Sequence, residues 1–261
     1  MKIREVLDAL ERFAPLPLQE DYDNAGLQVG LTETEASGAL LCLDVTEDII
    51  DEAVATRCNL IVAHHPLLFH GLKTLSDGDY VQRTVISAIK NGVTVVAMHT
   101  NMDNARGGVC FEMARRLGLG DVRFLAPRTT GGIEGGSGAI GHLDSTMPAL
   151  AFIDRVKSAF GVQCALCNSA TDRDIRCVAL CGGAGESLLH NALEQHADAF
   201  VTGEMHYHTF FGYEQSILLC VIGHYQSEQY TTHIFKNIIE KACPELPLRI
   251  ARTNTNPIIY L

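Results

Sequence analysis

Four short apolar runs recur along the chain, each followed at once by polar residues. Leu60-Ile61-Val62-Ala63 precedes His64-His65-Pro66, and Val93-Thr94-Val95-Val96-Ala97-Met98 precedes His99-Thr100-Asn101-Met102-Asp103. Ala199-Phe200-Val201-Thr202-Gly203 precedes Glu204-Met205-His206-Tyr207-His208, and Ile217-Leu218-Leu219-Cys220-Val221-Ile222-Gly223 precedes His224-Tyr225-Gln226-Ser227-Glu228. Runs this short and this continuous read as buried parallel strands. Between them the period changes to that of helices. An amphipathic helix is predicted over 2–13, ended by Pro15-Leu16-Pro17, with a polar loop over 20–30. A strand follows over 38–44, then a helix that Thr46 caps and Glu47 and Asp48 favour in its first turn. Further helices are predicted over 79–91, stopping at Gly92, and over 108–117. Beyond a shift in composition at 126–132 come a helix over 148–160 and strands near 162–167 and 176–181. Alternation of strand and helix gives an α/β fold. The expected architecture is two similar α/β units with mostly parallel sheets, 1–126 and 127–261. The C-terminal helix and tail are free to pack back on the first unit.

In open α/β sheets, ligands bind beyond the carboxyl ends of the strands. Here four such ends carry His, Asp and Glu, the mixed donor set of borderline divalent metals. Pro66 stops the strand at His65, where the pleat is lost and both rings of the His64-His65 pair can turn to one centre. Taken alone, the pair reads rather as one packed and one exposed imidazole; the other loaded strand ends reverse that in favour of the metal. His224 and Glu228 are four apart at a predicted helix start and so share a face. His99 and Glu204 are candidates for orienting a ligand or moving a proton. His206 and His208 either join them or are merely exposed.

Two glycine patterns need separate readings. Gly136-Ser137-Gly138-Ala139-Ile140-Gly141 matches G-x-G-x-x-G, but no strand precedes it and no helix follows, so it reads as a hairpin or the start of a strand. Gly182, Gly183 and Gly185 lie in a turn before a predicted helix. They are either an anion-binding turn, through backbone N–H groups, or simply a tight connection.

Bulk properties narrow the function classes. The 261 residues carry a net charge of −11, which repels long duplex nucleic acid. A small anion beside metal cations is still accommodated. No apolar run reaches membrane-spanning length. The first residues form an amphipathic helix rather than a signal peptide, so a cytoplasmic protein is expected. The nine cysteines are then read as free thiols. Cys164, Cys167, Cys177 and Cys181 allow a structural zinc site, but Cys177 and Cys181 sit on a predicted strand among core residues.

The motif set resembles the Nif-three-like family, also called the GTP cyclohydrolase I type 2 family, over nearly the whole chain. Asp23-Asn24-Ala25-Gly26-Leu27 is similar to the family's W-D-N-x-G-L, with Tyr22 in place of tryptophan. Leu43-Asp44-Val45-Thr46 with Ala63-His64-His65-Pro66-Leu67-Leu68-Phe69 resembles its first ligand block, and His99-Thr100-Asn101-Met102-Asp103 its second. Val201-Thr202-Gly203-Glu204 and Gly223-His224-Tyr225-Gln226-Ser227-Glu228 resemble its C-terminal block. The segment between Asp103 and Glu204 is too short for the domain that longer relatives insert, so this is a short form. The resemblance implies a dinuclear metal site between the two units, with His64, His65, Asp103, His224 and Glu228 as ligands. It implies two divalent ions (Zn, Fe, Mn, Co or Ni), a ring-shaped homohexamer, and hydrolase chemistry on GTP, another nucleotide or a phosphoester. The alternative is a non-catalytic metal-binding scaffold or regulatory assembly protein.

Overall fold

The computed structural model describes residues 1–259. Its elements, in chain order, begin with α1 (Ile3–Phe13), β1 (Gly26–Val29), β2 (Ala39–Cys42), α2 (Glu47–Ala55) and β3 (Leu60–Ala63). Next come α3 (Tyr80–Lys90), β4 (Thr94–Ala97), α4 (Thr100–Asp103), α5 (Val109–Leu117), β5 (Gly120–Thr130) and β6 (Ile133–Pro148). The remainder is α6 (Ala149–Phe160), β7 (Leu166–Cys167), β8 (Asp174–Cys181), α7 (Leu189–Glu194), β9 (Ala199–Thr202), β10 (Leu218–Val221), α8 (His224–Glu228), α9 (Thr231–Ala242) and β11 (Leu248–Ile250). Two compact units result: Met1–Met102 together with 231–259, and Asp103–Tyr230.

In the first unit a five-stranded sheet has the order β1-β4-β3-β2-β11. Strands β2, β3, β4 and β11 are parallel, and β1 runs antiparallel against β4 at the edge. All four residues of β2, β3 and β4 are buried, as their unbroken apolar runs require of strands covered on both faces. One face carries Leu40, Ile61, Ala63 and Val95, which pack with Ile49 and Ile50 of α2 and Val85 of α3. Helix α1 buries Ile3, Val6, Leu7 and Leu10, the three- and four-residue spacing of one helical stripe. Thr46 caps α2 by accepting from the Ile49 N–H at 3.4 Å. Thr46→Ala is expected to cost about 1 kcal/mol. Calorimetry should then show Tm lowered by roughly 2–4 °C; an unchanged Tm would mean the cap contributes nothing.

In the second unit a six-stranded sheet has the order β5-β6-β8-β9-β10-β7. It is mixed: β8, β9 and β10 are parallel, whereas β5/β6, β6/β8 and β10/β7 pair antiparallel. The expectation of a mostly parallel sheet therefore holds in the first unit and only at the centre of the second. The reason is the long hairpin β5–β6. Its two strands are joined by the two-residue turn Gly131-Gly132, and so short a connection permits only antiparallel pairing. The composition shift at 126–132 marks the tip of that hairpin. The change of unit comes earlier, after Met102, and the chain returns to the first unit at Thr231. Gly136–Gly141 lies inside β6. Val178 and Leu180 face Phe152, Val156 and Phe160 of α6, while Ala179 and Phe200 face the opposite core with Leu189 of α7. No helix among the described residues is long and apolar enough to cross a membrane.

Candidate metal centre

Strand register builds the first group of side chains. Cys42 of β2 is paired with Ala63 of β3, which is paired with Ala97 of β4. Asp44, His65 and His99 each stand two residues beyond those aligned ends, so one sheet edge receives all three. Gly26 of the antiparallel β1 pairs with the same Ala97, so the residues just before it, Asp23 included, reach that edge from the opposite direction. The ring centroids of His64 and His65 lie 4.9 Å apart, His64 and His99 5.3 Å, and His65 and His99 5.4 Å. One nitrogen from each of the three rings falls within 4.8 Å of the others. His64 is fully buried.

Each ring is fixed through Nδ1. His64 Nδ1 donates to the Met98 carbonyl at 2.9 Å, His65 Nδ1 to Asp44 Oδ1 at 2.7 Å and His99 Nδ1 to Asp23 Oδ1 at 2.7 Å. A carbonyl or a carboxylate can only accept, so the proton belongs on Nδ1. In the neutral ring this leaves Nε2 with its lone pair, the form in which imidazole binds a metal. Burial pushes the Asp23 carboxyl up, but hydrogen bonds from His99 and the Thr100 hydroxyl outweigh it and bring it down to about 2. Burial likewise opposes ionisation of Asp44, and bonds from His65 and Thr255 again win and lower it. Both carboxylates stay charged where they orient the rings.

The second unit repeats the construction. Cys181 of β8, Thr202 of β9 and Val221 of β10 are in register, and Gly183, Glu204 and Gly223 lie two residues beyond. His224 and Glu228 occupy one short helix. His224 Nε2 is 3.0 Å from Glu228 Oε2, while Nδ1 faces Glu204 Oε1 at 3.0 Å. The ring thus stands between two carboxylates, one at each nitrogen. Carboxylate oxygens of Asp103 and Glu228 lie within 4.8 Å of each other, and Glu228 is buried. Cys181 is held as a thiol by its hydrogen bond with Cys110, by burial, and by the nearby charges of Asp103 and Glu228.

The glycine turn takes its tight-connection reading. Gly183 N–H donates to Ser227 Oγ at 3.0 Å and Gly185 N–H to Thr202 Oγ1 at 3.0 Å. Gly182 is hydrogen-bonded through its backbone to Cys110. These donors are spent inside the protein, so Gly182, Gly183 and Gly185 form no open anion cradle. Gly183, at φ +57°, lies where a Cβ would stand 2.5 Å from Glu228 Oε1. At Gly203 a Cβ would meet Gly183 O and Ser227 Oγ at 2.7 Å. The glycines thus let this turn close on Glu228 and on the helix of His224.

Other sequence candidates fall elsewhere. Exposed His206 pairs with Glu186 at 2.6 Å, and His208 packs against Tyr207 and Phe211. Glu186, rather than Glu204, accepts the His206 N–H at 2.7 Å. That bond and the one from Thr209 draw the Glu186 carboxyl down to about 2. Cys167 is hydrogen-bonded to Cys220 and Cys181 to Cys110, while Cys164 is exposed. Among the described residues, the four cysteines considered for zinc form no common cluster. Asp23 and Asp44 are the residues whose roles the sequence pattern did not assign. Asp44 had a signal, for it too follows an apolar run by the same offset as His65 and His99.

Comparisons with known proteins agree with this fold. The model of the Duf34/NIF3 (NGG1p interacting factor 3) family matches residues 1–257. The GTP cyclohydrolase 1 type 2 homolog of Campylobacter jejuni is 30% identical, covering 100% of both chains. The protein of the same name from Clostridium acetobutylicum is 29% identical over 98% of each. Among solved structures, a Staphylococcus aureus protein superposes with a TM-score of 0.91 at 24% identity, over 100% of this chain and 99% of that one. Reduced HcgD from Methanocaldococcus jannaschii superposes at 0.80 and 21% identity, over 97% and 98%. Likeness at such identities shows the fold.

Proposed function

The chain belongs to the Duf34/NIF3 family, and from that premise we propose that it is a metal-dependent hydrolase holding two divalent ions. His64, His65, Asp103, His224 and Glu228 are the proposed ligands, with His99 as a sixth donor. One observation carries the reading. Three imidazoles converge in the first unit, each with Nδ1 tied to a carbonyl or carboxylate and one nitrogen within 4.8 Å of the others'. Packing alone does not require three rings with matched tautomers. The donor set of imidazole and carboxylate suits Zn, Fe, Mn, Co or Ni. When bound, such ions supply Lewis acidity and a water acidic enough to act as a nucleophile near neutral pH.

The chain's own groups perform the rest. Asp44, Asp23, Glu204 and the Met98 carbonyl hold the rings in orientation and keep their protons on Nδ1. Partly exposed His65 and His99 face the approach of a substrate, while buried His64 closes the floor. Net charge of −11 works against a free anionic substrate, and cations held by these donors would reverse the sign locally. The proposed substrate class is a nucleotide, with GTP the first choice from the names of the relatives, or another phosphoester. The reading includes assembly as a homohexamer.

The test is to strip the protein, reload it with Mn, Zn or Fe, and measure ions per chain and turnover of GTP, other nucleotides and phosphodiesters. About two ions per chain are expected, with product formed only by the loaded protein. Light scattering on the same sample should give about six times the 28.4 kDa chain mass. Metal content near zero after reloading overturns the ligand assignment. Two bound ions without turnover of any substrate would instead support the scaffold role.

A further inference from the structure

The Asp23–Leu27 motif is only partly explained by holding His99. The residue before it, Tyr22, is 67% exposed beside it, and an exposed tyrosine fixed next to a cluster of imidazoles is unexplained by packing. We infer that Tyr22, backed by Phe69, is a stacking surface for the planar base of a nucleotide substrate. This deepens the hydrolase reading and rests on it.

The two rings are arranged by hydrogen bonds from the motif. Tyr22 and Phe69 have centroids 6.4 Å apart, and Phe69 lies 6.2 Å from His99. They belong to different loops, and those loops are clipped together. Asn24 Nδ2 donates to the Leu68 carbonyl at 2.6 Å, and Leu68 N–H donates to Gln28 Oε1 at 3.1 Å. Gln28 Nε2 in turn donates to the Asn24 carbonyl at 2.6 Å. Asp23 anchors the same loop to His99 and Thr100. Asp23 and Asn24 thus tie the loop of Tyr22 to His99 and to the loop of Phe69.

The chemistry of the ligand follows from what the surface offers. Exposed aromatic faces in fixed positions bind flat π-systems, and any base has such a face. The carboxylates that hold the imidazoles, Asp23 and Asp44, offer nothing to a phosphate. A phosphate would lie toward the imidazole donors and their metal, and the base toward Tyr22, two ring-to-ring steps away. That span suits a nucleotide and exceeds a single phosphate.

The chain contains no tryptophan, so Tyr22→Trp gives a single indole as reporter while keeping the stacking face. Its fluorescence should fall saturably on adding GTP or ATP to the metal-loaded protein, and should not respond to inorganic tripolyphosphate. Tyr22→Ala should bind GTP about tenfold more weakly by equilibrium dialysis, with metal content and tripolyphosphate binding at the wild-type level. Equal GTP affinity in wild type and Tyr22→Ala, or no nucleotide binding by the metal-loaded wild type, would overturn the stacking surface. Either result leaves the measured metal content, and hence the metal reading, standing; failure to load metal condemns that reading separately.

Discussion

His64→Ala should remove at least one of the bound ions and lower turnover by at least ~10²–10³-fold, the loss that accompanies removal of a main electrostatic stabiliser of the transition state. The prediction rests on position. His64 is fully buried at the end of β3, and its Nδ1 bond to the Met98 carbonyl at 2.9 Å leaves the ring one orientation. No flexible neighbour can substitute for it, because the adjoining rings are already tied to Asp44 and Asp23. Truncation also leaves the Met98 carbonyl without this donor, at a cost of about 1–3 kcal/mol. Elemental analysis on protein first shown by circular dichroism to be folded separates the two effects. A folded variant that retains the wild-type ion content would exclude His64 as a ligand.

Much of this construction was legible in the sequence because it depends on strand ends. A buried parallel strand has an unmistakable apolar run, and whatever follows it lies at the sheet edge where ligands bind. His64, His65, His99, Glu204 and His224 were all found this way. The chain's passage between units was not legible, since it occurs inside the continuous segment from His99 to Asp103, with no glycine or proline break. The mixed character of the second sheet was hidden for a different reason. Strand β6 is glycine-rich and its alternation is weak, so its pairing partners are set by tertiary packing rather than by local pattern. Asp23 could not be placed either. It precedes β1, a four-residue antiparallel edge strand whose burial pattern gives little periodicity, and only the pairing of Gly26 with Ala97 brings it to His99.

Glu204→Gln distinguishes the two roles open to that residue, and the geometry favours one of them. Glu204 Oε1 accepts from His224 Nδ1 at 3.0 Å, while the other ring nitrogen faces Glu228. A carboxylate in that position fixes the ring and raises its basicity toward a metal, and loss of such a partner typically costs ~10–100-fold in metal affinity or activity. Glutamine keeps an oxygen that can accept the same hydrogen bond, so the fold and the ring position should survive, and the charge alone is lost. A role in capping the segment at His206 is excluded by the structure, because that N–H is taken by Glu186. The expected result is therefore weaker metal binding, with turnover reduced ~10–100-fold at limiting metal and largely restored at saturating metal. A proton-transfer role has the opposite signature: metal affinity at the wild-type level and turnover held ~10²–10⁴-fold low however much metal is added. Titrating the variant with metal while following turnover reads both quantities in one experiment. If neither affinity nor turnover changes, the Glu204–His224 bond has no part in the chemistry, and other contacts of His224, that with Glu228 among them, set its orientation.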